Sequence, residues 1–146
     1  IMSQEDLKIV IALARTYNQL FGQIEQHLRR FKLTTSEFGV LEFLYHKGEQ
    51  PTQVIAEKIL VTSGTVTYII DKLSRKALVA RRGCEEDKRV TYVSLTEAGW
   101  QLIDSVFKEH EIFLDDLLGS FETTKKEELI TLLIELQQHM KGASNA

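Results

Sequence analysis

Apolar residues recur at steps of three or four from the start of the chain: Val10, Leu13, Tyr17, Leu20, Ile24, Leu28 and Phe31. That period predicts one long amphipathic helix over 3–31. A second helix follows the capping sequence TTS, with Phe38, Leu41 and Leu44 inward, and stops near Lys47-Gly48. Pro51 opens a short third helix, roughly Thr52 to Ile59, whose apolar positions are Val54, Ile55 and Ile59. A fourth begins after LVTSG, capped by Thr62 or Ser63, with Val66, Ile69, Ile70 and Leu73 on one side. From Leu78 the period becomes two. Val79 and Arg81, then VTYVSL over 90–95, read as the strands of a hairpin whose turn is the charged GCEEDK.

Thr96 ends the hairpin and suits the cap of a fifth helix carrying Leu102, Val106, Phe113 and Leu117. Phe121 falls in a break. A sixth helix is expected from a capping box, Thr124-Lys-Lys-Glu127, with Leu129, Leu132, Leu133, Leu136 and Met140 as its stripe. The expected fold class is mainly α with a small β-hairpin. The outer helices carry more apolar surface than a small core absorbs, and such patches are rarely left in water. A homodimer is the expected solution.

Composition changes this picture little. At 146 residues, 43% apolar and 27% charged, the chain fits one globular domain over 1–146. No apolar run approaches the roughly eighteen residues of a membrane span, and IMSQEDLKIV lacks the basic flank of a signal peptide. One cysteine, Cys84, makes no internal disulfide and fits a reducing compartment, so the expected location is the cytoplasm.

Charge changes it a good deal. The net charge of −3 argues against a non-specific nucleic-acid coat. Between Lys58 and Tyr92, however, eight bases face four acids, giving +4 and leaving −7 on the rest of the chain. The third and fourth helices have the layout of a helix-turn-helix, with Ala56 small where the two cross. The expected outward set is Thr62, Ser63, Gly64, Thr65, Thr67, Tyr68, Lys72, Arg75 and Lys76. Hydroxyls and bases on one helix face suit phosphate oxygens and major-groove base edges. Leu60 departs from the pattern, standing where such turns often have glycine. The hairpin beside this helix reads as a wing. Arg89 is the side chain expected to enter a minor groove, with Asp87 holding its guanidinium and Lys88, Arg81 and Arg82 against phosphates.

The segment DKRVTYVSLTEAG, with Asp87, Arg89, Leu95, Thr96 and Gly99, resembles the signature of the multiple-antibiotic-resistance regulator (MarR) family of winged-helix transcription factors. SGTVTYIIDKL is similar to that family's recognition helix, and the helix order matches over essentially the whole chain. The resemblance implies dimerisation through 3–31 and 100–141, with a winged helix-turn-helix over 34–96. It implies a double-stranded, pseudo-palindromic operator, repression of nearby genes, and release by a phenolic or quinone-like small molecule or an oxidant.

Weaker signals bear on the inducer. Cys84 lies beside the wing tip, where oxidation would perturb DNA binding directly; a tolerated surface cysteine is the competing reading. His46 with Glu42 or His110 would make metal ligands if the fifth helix packs on the second, but no HxxxH or CxxC occurs among His27, His46, His110 and His139. No cofactor is expected, nor an enzyme: GxSxG and phosphate-cradling glycine loops are absent, and Asp115-Asp116 point different ways on a helix. Two alternatives remain beside the regulator: a winged helix that docks protein instead of DNA, and a metal-dependent regulator of the same fold.

Overall fold

A computed structural model describes residues 1, 3–59 and 63–144, with Ser63 and Ser144 described by backbone alone. The order is α1 (Gln4–Arg29), α2 (Thr35–Lys47), β1 (Gln50–Pro51), α3 (Thr52–Lys58), α4 (Ser63–Arg75), β2 (Val79–Gly83), β3 (Thr91–Leu95), α5 (Glu97–Leu118) and α6 (Thr123–Ser144). The expected fold class is the observed one. The chain divides into two compact units, residues 1–109 and 110–146, with α5 running from one to the other.

In the first unit, the side of α4 predicted to be apolar is buried throughout, at Val66, Ile69, Ile70 and Leu73. It meets Leu41 and Leu44 of α2, Ile55 and Ala56 of α3, and Val79 and Val93 of the sheet as one core. Both ends of α2 are defined chemically. Thr34 accepts from the Glu37 amide while Glu37 returns to the Thr34 amide, a complete capping box. Gly48, at φ 76, closes the helix in a conformation that favours glycine. The Thr62 or Ser63 cap expected for α4, and Leu60, lie outside the described residues or side chains.

The sheet holds a strand that the period did not reveal. β1, only Gln50–Pro51, pairs antiparallel with β3, giving the order β1-β3-β2. Two residues show no alternation, and the proline is tolerated because β1 is an edge strand. In the β2–β3 register Arg81 lies opposite Val93 and Arg82 opposite Tyr92. Paired residues share a face, so the adjacent arginines go to opposite faces of the wing.

The junction of α4, β2 and α5 is tightly tied. Leu78 N–H bonds the Leu73 carbonyl, closing α4 with Ala77 in the left-handed region at φ 60. Thr96 donates its hydroxyl to the Ala77 carbonyl at 2.7 Å and its amide to the Leu78 carbonyl at 3.1 Å. The same hydroxyl accepts from the Gly99 amide at 3.0 Å, capping α5. A Cβ at Gly99 would overlap the Leu78 carbonyl oxygen and stand 2.9 Å from its carbon. The Leu-Thr-x-x-Gly pattern is thus the shape of one close crossing. α5 also buries Ile103, which its predicted stripe had missed, together with Val106.

In the second unit, the end of α5 and α6 are joined through Gly119, whose amide bonds the Asp115 carbonyl at 2.7 Å. α6 starts at Thr123, one residue ahead of the expected Thr124 box. The Lys126 amide bonds the Glu122 carbonyl, so Thr124 lies inside the first turn instead of capping it. Leu129, Leu132 and Met140 of its stripe are exposed, as are Val10, Leu13 and Tyr17 of the α1 stripe, where only Ile24 and Leu28 are buried.

Two substitutions should move stability in opposite directions. Gly99→Ala forces a side chain against backbone and should destabilise by about 2–3 kcal/mol. Ala77→Gly relieves a left-handed alanine and should stabilise by about 0.5–1 kcal/mol after glycine's extra unfolded-state entropy. Thermal denaturation at fixed protein concentration checks both signs.

Candidate nucleic-acid interface

Because the buried side of α4 is fixed by its core residues, its other side is set as well. Gly64, Thr65, Thr67, Tyr68 and Arg75 are exposed, with Tyr68 63% accessible. The backbone of Ser63 begins the helix, and Thr62 is outside the described residues. A side presenting hydroxyls, a phenol and a guanidinium offers both donors and acceptors to base edges.

The wing packs beside this helix through β2. After β2 the chain turns through residues 84–90, held by Cys84 N–H on the Val90 carbonyl at 3.1 Å and Val90 N–H on the Asp87 carbonyl at 3.0 Å. Asp87 accepts three bonds from Arg89: the amide at 3.0 Å, Nε at 3.1 Å and a terminal nitrogen at 3.2 Å. This bidentate fork fixes a long side chain that is otherwise 89% exposed. Those hydrogen bonds also hold the Asp87 carboxyl below its usual range, so the pair stays ionised. Lys88 is exposed beside it, and Glu85 and Glu86 are solvated.

The remaining bases expected at phosphates make ion pairs within the protein while staying partly exposed. Arg81 pairs with Asp71 of α4. Arg82 forks onto Glu49 at 2.8–3.1 Å and lies over the Tyr92 ring at 4.5 Å. That hydrogen bonding pulls the Glu49 carboxyl down and pushes the Arg82 guanidinium up. Lys76 contacts Glu37 at 2.7 Å, and Lys72 stands 3.7 Å from the same carboxylate. None of these acids lies close in sequence to its base. Their proximity is tertiary.

Glu37, which sequence reasoning did not single out, is 2% exposed at the head of α2. Burial pushes its pKa up, but the Lys76 hydrogen bond, the Thr34 amide and the two lysine charges outweigh it and leave the pKa below the usual 4.5. Its capping position in the TTSE sequence was the available signal.

Two concavities flank these elements. One, about 420 Å³, lies between α4 and the wing and is lined by Thr52, Gln53, Thr67, Asp71, Arg81 and Arg89 among others. Thr52 of α3 bonds the Thr91 carbonyl across its base at 3.1 Å. The other, about 770 Å³, is walled by Tyr17 and Phe21 of α1, Phe43 of α2 and Ile59, with Asn18, Ser36, Glu42 and Lys58 at its polar margin.

Cys84 is half-buried and makes no disulfide, at the root of the wing turn. Among the described residues no group of three or more His, Cys, Asp and Glu is placed to hold a metal. His46 pairs with Glu42 at 3.0 Å and packs its ring against Phe107. Among the described residues no helix is long and apolar enough to cross a membrane.

Comparison with known proteins converges on the same region. The description of the MarR family matches residues 33–91. Over 118 residues the chain is 40% identical to the HTH-type transcriptional regulator MhqR of Bacillus subtilis, covering 81% of each chain. In backbone it is similar to AbsC, a MarR family transcriptional regulator from Streptomyces coelicolor, with a TM-score of 0.87, 20% identity and 97% and 98% of the two chains covered. It is similar to MepR of S. aureus, solved as a DNA complex, at a TM-score of 0.77 and 20% identity over 95% and 99%. It is also similar to NadR, solved in complex with 4-hydroxyphenylacetate, at 0.73 and 24% over 88% and 91%.

The buried carboxylate generates a pH prediction. The folded pKa of Glu37 lies below its unfolded value, so its contribution is complete above about pH 4.5 and is lost as pH falls through the folded pKa. Glu37→Gln should cost on the order of 2 kcal/mol at pH 7. Urea titrations of the two proteins should converge as the pH drops below 4.5.

Proposed function

Since the chain belongs to the MarR family of helix-turn-helix transcriptional regulators, which bind DNA, we propose that it acts as a homodimeric repressor at a pseudo-palindromic operator. The observation that carries this reading is the exposed Arg89 held by Asp87 beside an α4 whose outer side is free of apolar packing. A pre-ordered arginine loses little entropy on entering a narrow, electronegative minor groove. Thr65, Thr67, Tyr68 and Arg75 face the adjacent major groove, and Lys88 meets phosphate.

Dimerisation is supported by the apolar residues left in water on α1 and α6. Val10, Tyr17, Ile130, Leu132 and Met140 are each more than half exposed. Patches of this kind mark an interface. A second copy doubles the reading elements and matches two-fold symmetry in the operator.

Release by a small hydroxylated aromatic is supported by the cleft between α1 and α2. Tyr17, Phe21 and Phe43 supply flat apolar walls there, and Asn18, Ser36 and Lys58 supply donors for a phenolate or carboxylate. NadR's 4-hydroxyphenylacetate is a molecule of this class. A shift of α1 against α2 would change the spacing of the two heads and remove their fit to the half-sites.

Fluorescence anisotropy on the DNA upstream of the protein's own gene, across a salt series, tests the reading. The wild type should prefer that duplex over random DNA and weaken as salt rises. Arg89→Ala should bind about tenfold to a hundredfold more weakly. Equal binding of operator and random duplex, with Arg89→Ala unchanged, would favour a protein-docking winged helix.

A further inference from the structure

Position and charge place Lys76 among the bases of the reading helix, yet its ammonium points into the protein. Nζ donates to Glu37 Oε2 at 2.7 Å and to the Lys32 carbonyl at 3.1 Å. Three element ends meet at this nitrogen. Lys32, at φ 59, sits in the left-handed turn that follows α1. Glu37 lies in the first turn of α2, and Lys76 immediately follows α4. The Lys32 turn is itself fixed, with Lys32 N–H on the Arg29 carbonyl and Leu33 N–H on the Leu28 carbonyl.

We propose that Lys76 is a positioning residue of the recognition helix: through Glu37 and the Lys32 carbonyl it fixes the C-terminal end of α4 against α1 and α2, and it does not contact phosphate. The proposal rests on the DNA-binding reading above and assigns one of its bases a different task. The reason is the burial of the acid. Glu37 is 2% exposed. Its Oε1 is taken by the Thr34 amide at 3.0 Å, with Lys72 at 3.7 Å. Lys76 makes the short contact to Oε2. Swinging Lys76 out to a phosphate would strand a carboxylate in the interior and remove a donor from the Lys32 carbonyl, a poor exchange for one solvated contact. Among the described residues Arg75 and Lys88 make no ion pair, so their charge is free for DNA.

The orientation of α4 then depends on a lock at its far end. The helix is held along its length by core packing, which sets its outward side and leaves only a small rotation about its own axis. A charged contact just past its last turn opposes that rotation. Rotation moves Thr65, Thr67 and Tyr68 relative to base edges, so loosening the lock should reduce discrimination between sequences more than affinity for DNA in general.

Salt dependence separates the two roles, because each phosphate contact contributes about 0.9 to the slope of log affinity against log salt. The full-length protein would be measured on its operator and on random duplex as wild type, Lys76→Met, Lys76→Arg, Glu37→Gln and Lys88→Met, with circular dichroism to establish folding. Lys88→Met calibrates the loss of a phosphate contact. Lys76→Met should lower operator affinity on the order of tenfold, reduce the operator-to-random ratio and leave the slope unchanged. Lys76→Arg should restore the ratio.

Glu37→Gln is decisive even if Lys76→Met does not fold. The positioning role predicts a lower operator-to-random ratio at unchanged slope, although the variant gains net positive charge. Tighter operator binding with a steeper slope would mean that the freed Lys76 meets phosphate, and would overturn the proposal. So would a Lys76→Met slope reduced as much as that of Lys88→Met. A wild type that does not distinguish operator from random DNA would instead overturn the DNA reading on which the proposal stands.

Discussion

Two carbonyls just past the end of α4, those of Ala77 and Leu78, decide where three elements lie relative to one another. Both accept from Thr96, and Gly99 lets the start of α5 approach the second without a side chain between them. One threonine supplies a donor to each carbonyl while its hydroxyl oxygen caps α5. The consequence is that α4, the root of the wing and the first turn of α5 share one rigid joint. The apolar core behind α4 settles which side of that helix is outward, and the joint settles where the wing stands beside it.

Charge is distributed on the same logic. Eight bases in the middle of the chain invite a reading as one positive field. In the folded protein Glu37 holds Lys76 and draws Lys72, Asp71 holds Arg81, Glu49 holds Arg82 and Asp87 holds Arg89. Of these paired bases Arg89 is the most exposed, at 89%. Much of the basic region therefore orients its own framework, and the surface left for a polyanion is narrower and more directional than the sequence count suggests.

The apolar surface outside this framework has a different origin. The α4 stripe is buried within the chain because α2, α3 and the sheet fold over it. The stripes of α1 and α6 show a similar period but remain exposed over much of their length. Periodicity identifies which face of a helix must be covered and is silent about whether the cover comes from the same chain. Here the uncovered faces lie on the first and last helices, away from α4 and the wing along the sequence.

Much of the architecture was determined by the sequence alone, wherever the cause is local. Six helices, a hairpin with a charged tip, the burial of Val66, Ile69, Ile70 and Leu73, and the pairing of Asp87 with Arg89 two residues on all follow from period, caps and short separations. The exceptions have physical reasons. β1 is too short to alternate, Ile103 lies one position from the stripe drawn for α5, and α6 starts one residue before its apparent capping box. The roles of the bases were the least legible, because Lys76 and Glu37 are 39 residues apart and Arg82 and Glu49 are 33 apart. Local physics set which residues are charged and which helices they ride on. Only the packing of α1, α2, α4 and the wing decided which distant charges pair with one another, since an ion pair is selected by distance in space and the sequence records distance only along the chain.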